Sequence, residues 1–523
     1  MYEIVLAILC CLLGVAGALA AEGPWFTEPR PPGEFVNLKA ADLKAVDSFA
    51  SKKPVVGTYL FYWYDVLSKA HVTYGDGGDA CTTHPPTWKD YSYLSDRWWR
   101  QQLRDITEAG IDFAAPVYWG YPHAYDSWSF KGLPHLVAAC DQMERAGEKR
   151  PKIALFYDTS TLRHNKFRRP IDLSTPEGKA WFYCTVRDFW SFIPPKHWAV
   201  IEGRPIILLY SPAFAVKQDP ALFPYVRKRF VKDFGVNPYI IKQSSWQGKA
   251  DSTCEWGGAL GLRVAGCAAV GPGYDHSAVR GRTPLVRDRE RGAFYSRQWE
   301  TLLRINPKRR PKLAMVETWN EFHEGTDVAH SREYGRKYID LTRKYADLFH
   351  AGVRTRKIAG PYSDVRKLSG HFGRKRDDGG ICVPSGGDGV TVLTKLGDVP
   401  CIRSAPSKWP SKYIYFDLRS AFAFDLDPQT VTIRIDYYDR RCMGFVLEYD
   451  SLDPAGSVRD GAFKPGGRVT IKDTGAWRTA SFRITDARFA NRCNGSDFRL
   501  AVRGPGDLSI VEVDVIKAGR PGK

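Results

Sequence analysis

The chain has 523 residues, 43% of them hydrophobic, and carries 76 Lys and Arg against 58 Asp and Glu, a formal net charge of +18. That length exceeds one ordinary domain and suits a barrel of ~250–300 residues with something smaller attached. The basic residues are scattered among acids, with only short clusters such as Lys308-Arg309-Arg310, so no nucleic-acid partner is expected. The charge reads either as a solvated basic surface or as attraction to an anionic glycan or cell surface.

Residues 1–20 read as a signal peptide: Ile4 to Ala20 is apolar, and Ala18-Leu19-Ala20 before Ala21 offers a cleavage site. This stretch is short for a membrane span and no other run is long enough, so the mature chain is expected to be secreted or periplasmic, off the membrane. Its removal takes Cys10 and Cys11 and leaves nine cysteines. Export permits disulfides, and Cys382 with Cys401 and Cys442 with Cys493 are plausible pairs whose connectivity sequence does not fix. No His/Cys cluster has zinc spacing, and neither metal nor cofactor is implied.

Residues 21–50 form a Pro-rich, then polar, lead-in. From Val55 the run VVGTYLFYWYD reads as a strand ending in Trp63, Tyr64 and Asp65, and a long loop follows to about Ser92. Helical periodicity at Trp98, Leu103 and Ile106 closes at Gly110, and a second strand ends at Tyr118 and Trp119. A helix near Leu133 to Gly147 leads to the strand KIALFYD, which ends at Asp158. A helix from Pro176 to Phe192, the strand RPIILLYS, a helix near Phe223 to Phe234 and the strand PYIIKQ come next. Two further strands are expected between Cys254 and Val270. Apolar strands alternating with helices over residues 51–350 predict parallel strands covered by helices, a (β/α)8 TIM barrel. No G-x-G-x-x-G follows the first strand, which speaks against a dinucleotide fold.

The densest chemistry lies in KLAMVETWNEFHEGT, Lys312 to Thr326. A short apolar strand breaks into Glu317, Trp319, Asn320, Glu321, His323 and Glu324, then turns at Gly325 toward a helix. Crowded carboxylates raise one another's pKa, so one can be protonated while another is ionised. Glycoside hydrolysis needs that combination. Strand-end aromatics such as Trp63, Tyr64, Tyr118 and Trp119 serve either as a sugar platform or as core.

WNEFHEGT, followed by Tyr334-Gly335-Arg336-Lys337-Tyr338, resembles the signature of glycoside hydrolase family 99. EAGIDFAAPVYWG and Gly271-Pro272-Gly273-Tyr274-Asp275 resemble further family elements, so the likeness runs over about residues 54 to 350. The resemblance implies that Glu321 is the base acting on the sugar's 2-hydroxyl and that Glu324 is the general acid/base at the glycosidic oxygen. It implies a retaining route through a 1,2-anhydro-sugar and an α-mannoside-type bond. Trp63, Tyr64, Tyr118, Trp119, Asp158, Tyr274, Asp275, Trp319, Asn320 and His323 are the candidate substrate-binding residues. Phe322 stands where the family usually has Trp, and Asp327-Val328-Ala329-His330 departs from the family's usual continuation.

Residues 351–375 are basic and read as a linker, and 376–523 as an antiparallel β-sandwich accessory domain. Segments such as YIYFDL, FAFDL, TVTIRIDYYD and LSIVEVDVIK are expected strands separated by turn signals. Tyr437, Tyr438 and Trp477 are its candidate exposed aromatics. Taken together, the sequence predicts an exported glycoside hydrolase acting on a polysaccharide or glycan. The alternative is a secreted glycan-binding protein that has lost activity.

Overall fold

The computed structural model describes residues 25–355, 361–455 and 461–518, and the expected signal peptide lies outside them. Eight parallel strands organise the N-terminal region: β1 (Val55–Leu60), β2 (Phe113–Tyr118), β3 (Leu155–Tyr157), β4 (Arg204–Leu209), β5 (Tyr239–Lys242), β6 (Ser252–Thr253), β7 (Ala268–Val270) and β8 (Leu313–Val316). They lie in the order β6-β5-β4-β3-β2-β1-β8-β7, with β1 and β8 adjacent and in register from Val55 against Leu313. β1, β2, β3 and β8 are buried along their whole length, which explains their unbroken apolar runs.

Helices cross between successive strands: α1 (Asp96–Glu108), α2 (Trp128–Arg145), α3 (Pro176–Phe192), α4 (Leu222–Phe234), α5 (Ala293–Arg304) and α6 (Lys337–His350). The starts follow their sequences: the side chains of Ser95 and Thr175 accept the amides of Trp98 and Gly178, and Pro176 occupies the first turn of α3. No α-helix separates β5 from β6 or β6 from β7, and a 3-10 turn at Gly258–Leu260 lies between the latter two. The sheet is curled, and its two ends meet at one backbone hydrogen bond, Cys267 N to Thr253 O (2.7 Å). No ladder of strand pairing joins β6 to β7 among the described residues.

Beyond α6 the chain builds two six-stranded antiparallel sheets. One includes Thr391–Leu396, Val399–Ser404, Ser509–Lys517, Val431–Tyr438 and Trp477–Ile484. The other includes Lys412–Leu418, Phe498–Arg503, Gly444–Tyr449 and Lys464–Thr470. Ile433, Val513 and Val515 of the first share one apolar cluster with Phe416, Phe445 and Leu500 of the second.

Four expectations change here. Part of the expected linker, Lys367–His371, is a strand paired with Ser509–Lys517. FAFDL is a turn rather than a strand, because Asp425 adopts φ +44° and binds the amide of Asn306 and the guanidinium groups of Arg309 and Arg488. Tyr437 is buried rather than exposed, and Tyr438 and Trp477 are half-buried against each other. All nine described cysteines are thiols in this structure, so neither expected disulfide is present in it. Cys382 and Cys401 belong to different sheets.

Candidate functional site

β8 ends at Val316, and the motif loop unrolls from its carboxyl end, where parallel-barrel enzymes carry their chemistry. The loop is tied to itself. Thr318 N donates to Thr326 O (3.0 Å), and Thr326 N donates to Glu321 O (3.2 Å). Gly325 turns it at φ +52°, a left-handed conformation that strains any side chain. Asn320 clamps the loop to the end of β1: its Oδ1 accepts Phe61 N (2.8 Å) and its Nδ2 donates to Phe61 O (2.6 Å).

Glu321 is buried. Its Oε1 accepts the Tyr64 hydroxyl (3.1 Å) and His323 N (3.1 Å), and it lies 3.1 Å from His323 Nδ1. Its Oε2 is buried and has no partner, and the residue lines a cavity of about 810 Å³. Burial lifts the Glu321 carboxyl above the usual range, and His323 opposes that lift. Burial opposes charge on His323, but the Glu321 carboxylate outweighs it and lifts the imidazole. His323 Nε2 donates to His71 O (2.8 Å), which fixes the ring.

Glu324 lines the same cavity and pairs with Arg282 Nη1 (2.8 Å). Arg282 lies on a hairpin formed by Tyr274–Asp275 and Val286–Arg287. This hairpin is held against the loop after β1: the Tyr74 hydroxyl donates to Ala278 O (2.6 Å), and Arg280 pairs with Asp76 (2.6 Å). His276 Nε2 donates to Thr283 O, so its Nδ1 accepts the Tyr274 hydroxyl (2.8 Å) when the ring is neutral.

Glu317 forms part of the cavity floor. Its two oxygens accept the amides of Gly257 (2.9 and 3.0 Å) and Ala259 (3.2 Å). Burial pushes its carboxyl up to about 7 against the pull of those amides. Aromatic rings make the walls. Trp256 stacks on Phe156 (5.8 Å, 5°) beside Tyr210, and Trp63 stacks on His71 (4.9 Å, 9°).

Of the candidate residues, Trp63, Asp158, Tyr274, Glu321, His323 and Glu324 line this cavity. The others do not. Tyr64 is buried behind Glu321, and Tyr118 packs on Phe189 in the core. Trp119 bonds to Ser160, and Asp275 caps the turn at Ser277 (2.8 Å). Trp319 is fully buried, its indole donating to Gln102 (2.9 Å), and Asn320 is the clamp described above. Asp327, part of the divergent stretch, is sealed by Arg289 (2.7 Å) and does not line the cavity.

Sequence reasoning missed His71, Tyr74, Tyr210, Trp256 and Arg282 and left Glu317 unassigned. Tyr210 was detectable as the residue just past β4, whereas Trp256 and Arg282 sit in stretches without periodicity. Asp141, Glu144 and His197 are grouped closely enough to hold a cation. Lys196 and Arg150 already pair with that group, which reads as a salt-bridge cluster on the scaffold.

No match was found among curated proteins. Among solved structures, the GH99 endo-α-mannosidase from Bacteroides thetaiotaomicron in complex with bis-tris-propane is similar at 16% identity, covering 59% of this chain and 99% of that one, with a TM-score of 0.42. A glycoside hydrolase-like protein is similar at 17% identity, 59% and 99% coverage and a TM-score of 0.40. The CBM22-1 xylan-binding domain of Xyn10C from Paenibacillus barcinonensis is similar at 12% identity, 31% and 99% coverage and a TM-score of 0.20. A family model described as "Domain of unknown function (DUF5010)" matches residues 67–356, more than half of the chain, and the protein belongs to that family.

Proposed function

We propose that this protein is an exported glycoside hydrolase, secreted or periplasmic, built as a (β/α)8 barrel with a β-sandwich attached. The observation that carries the reading is Glu321, a buried carboxylate with one oxygen tied down and the other unpartnered, in the same cavity as Glu324. The aromatic walls add support, because ring faces pack against sugar faces.

Following the motif's resemblance to family 99, Glu321 Oε2 takes the proton of the sugar's 2-hydroxyl and that oxygen attacks the anomeric carbon. The bond to the leaving sugar breaks as Glu324 protonates its oxygen. Glu324 then takes a proton from water, which opens the 1,2-anhydro ring at the anomeric carbon, and Glu321 returns its proton to the 2-oxygen. An α-mannoside-type bond is the first substrate to test.

One observation favours a second reading, a glycan-binding protein without turnover: Arg282 occupies the carboxylate that has to act as acid. A digestion screen decides between them. Mannans, other neutral polymers and sulfated or uronic polymers are incubated with the mature protein and with Glu324→Gln, and products are read by mass spectrometry. Cleavage by the wild type alone supports the enzyme. Binding to one polymer with no cleavage by either protein supports the binder, and equal cleavage by both removes Glu324 from the mechanism.

A further inference from the structure

The two ends of the curled sheet bring two buried thiols together. Cys267 N donates to Thr253 O (2.7 Å), Gly266 N to Thr253 Oγ1 (3.1 Å), and Cys254 N to Lys242 O (2.9 Å). In parallel pairing the first of these bonds sets Thr253 against Gly266. The next residues, Cys254 and Cys267, then stand side by side and project to the same face of the sheet. Neighbouring strands lie about 4.8 Å apart, within the roughly 4.4–6.8 Å that a disulfide spans between Cα atoms. Both cysteines are buried: the Tyr59 hydroxyl lies 3.8 Å from Cys254 Sγ and Ser252 Oγ lies 3.4 Å from Cys267 Sγ. Hydrogen bonding from Cys267, ahead of burial, lifts the Cys254 thiol well above its ordinary range.

We propose that Cys254 and Cys267 form a disulfide that joins the ends of the curled sheet in the mature protein. The bond forms by exchange with a disulfide oxidant, a small-molecule disulfide or the disulfide of a protein oxidant. One cysteine thiolate attacks the oxidant, giving a mixed disulfide and releasing one thiol. The second cysteine thiolate then displaces the remaining half. The two cysteines lose two electrons and two protons, and the oxidant leaves as two thiols. The step belongs to folding, because the burial that lifts the Cys254 thiol leaves little reactive thiolate once the chain has closed.

The consequence reaches the cavity. The chain between the two cysteines carries Trp256 of the wall and the Gly257 and Ala259 amides that hold Glu317. A bond across its base fixes both. The inference is independent of the glycosidase reading, since its test needs no substrate.

The test is to refold the full chain from denaturant in a mixture of oxidised and reduced glutathione, and in parallel with a phosphine reductant. Remaining thiols are alkylated in denaturant, and the unreduced digest is mapped by mass spectrometry. The expected result is a linked pair of peptides containing Cys254 and Cys267, two hydrogens lighter than their sum, with the other cysteines alkylated. The oxidised protein should melt several degrees above the reduced one. The double substitution Cys254→Ser, Cys267→Ser should melt with the reduced protein and be indifferent to glutathione. Alkylation of both cysteines in natively refolded, oxidised protein overturns the proposal, as does a disulfide between either of them and another cysteine. The mapping is done on the wild type, so the answer stands if the double variant folds poorly.

Discussion

Tyr64→Phe is the most informative single substitution at the site, because Tyr64 touches no part of the cavity yet governs Glu321. Its hydroxyl donates to Glu321 Oε1 (3.1 Å) and accepts the amides of Phe322 (2.8 Å) and His323 (3.2 Å). A hydrogen bond to a charged group is worth about 1.5–3 kcal/mol. Among the groups that hold the Glu321 carboxyl down, Tyr64 acts beside the stronger His323, so its loss lifts further a carboxyl that burial has already raised. A base must be ionised to act, so the acid limb of the kcat/KM–pH profile should move to higher pH. The alkaline plateau should fall less than the acid limb. Two buried amides lose an acceptor, so the variant should also melt lower, at a cost of about 1–3 kcal/mol. The assay is a pH profile on whichever glycan the screen identifies, with thermal melts alongside. An unmoved acid limb in a folded variant refutes the assignment of Glu321 as the ionising base.

Arg282→Gln frees Glu324 from an ion pair whose arginine is 53% exposed. Such a pair is worth about 0.2–1 kcal/mol, so turnover of neutral glycans should rise about 1.4- to 5-fold. A loss beyond tenfold would show that Arg282 holds substrate instead. Asp425→Asn should destabilise the protein by about 3–5 kcal/mol, the cost of breaking a buried pair, because Asp425 joins Arg309 beside α5 to Arg488 in the connection between two C-terminal strands. Burial alone would raise the Asp425 carboxyl, but Arg309 and Arg488 more than offset it and hold it below the usual range. Its contribution is therefore complete above the ordinary Asp pKa of about 3.9 and is lost as pH falls through the lower folded value. Denaturant melts between neutral and strongly acid pH should show the wild type converging on the variant only below that point.

Most of the parallel strands were legible because each is a short apolar run bounded by turn residues; of the two expected around Cys254 to Val270, β7 lies there and the polar β6 falls just before, at Ser252–Thr253. α5 was not, although Tyr295, Trp299, Leu302 and Leu303 are its buried face. It begins at Ala293 after Gly292, which has no capping side chain, and follows a run of charged residues, so nothing local announces its start. The site was legible in part for a geometric reason. Successive side chains at a strand end point to opposite sides, so adjacent aromatics cannot both face the cavity. Trp63 does while Tyr62 is core, and Asp158 does while Tyr157 is core. Residue type alone could not tell which member of each pair turns inward. Contributions from loops without periodicity, such as Trp256, Arg282 and His71, depend on tertiary contacts that no local pattern encodes.

The three glutamates of the motif show how environment separates groups of identical chemistry. Glu317 is enclosed by backbone amides that use both its oxygens, so it holds the loop carrying Trp256 more readily than it moves a proton. Glu321 has one oxygen committed to Tyr64 and His323 and one left open, which is the arrangement of a base held in place. Glu324 is the most accessible of the three and meets a half-exposed guanidinium rather than fixed donors, so a bound sugar can change its partner. Acid and base roles are divided in this way when neighbouring carboxyl groups have unlike surroundings. The division also explains why Glu317→Gln and Glu321→Gln should differ. The first substitution keeps an amide oxygen for the Gly257 and Ala259 donors and should retain most turnover. The second removes the unpartnered carboxylate oxygen and should abolish it. Equal loss in both, with the fold intact, would show that Glu317 is the working base and that the motif's resemblance assigns the wrong carboxylate.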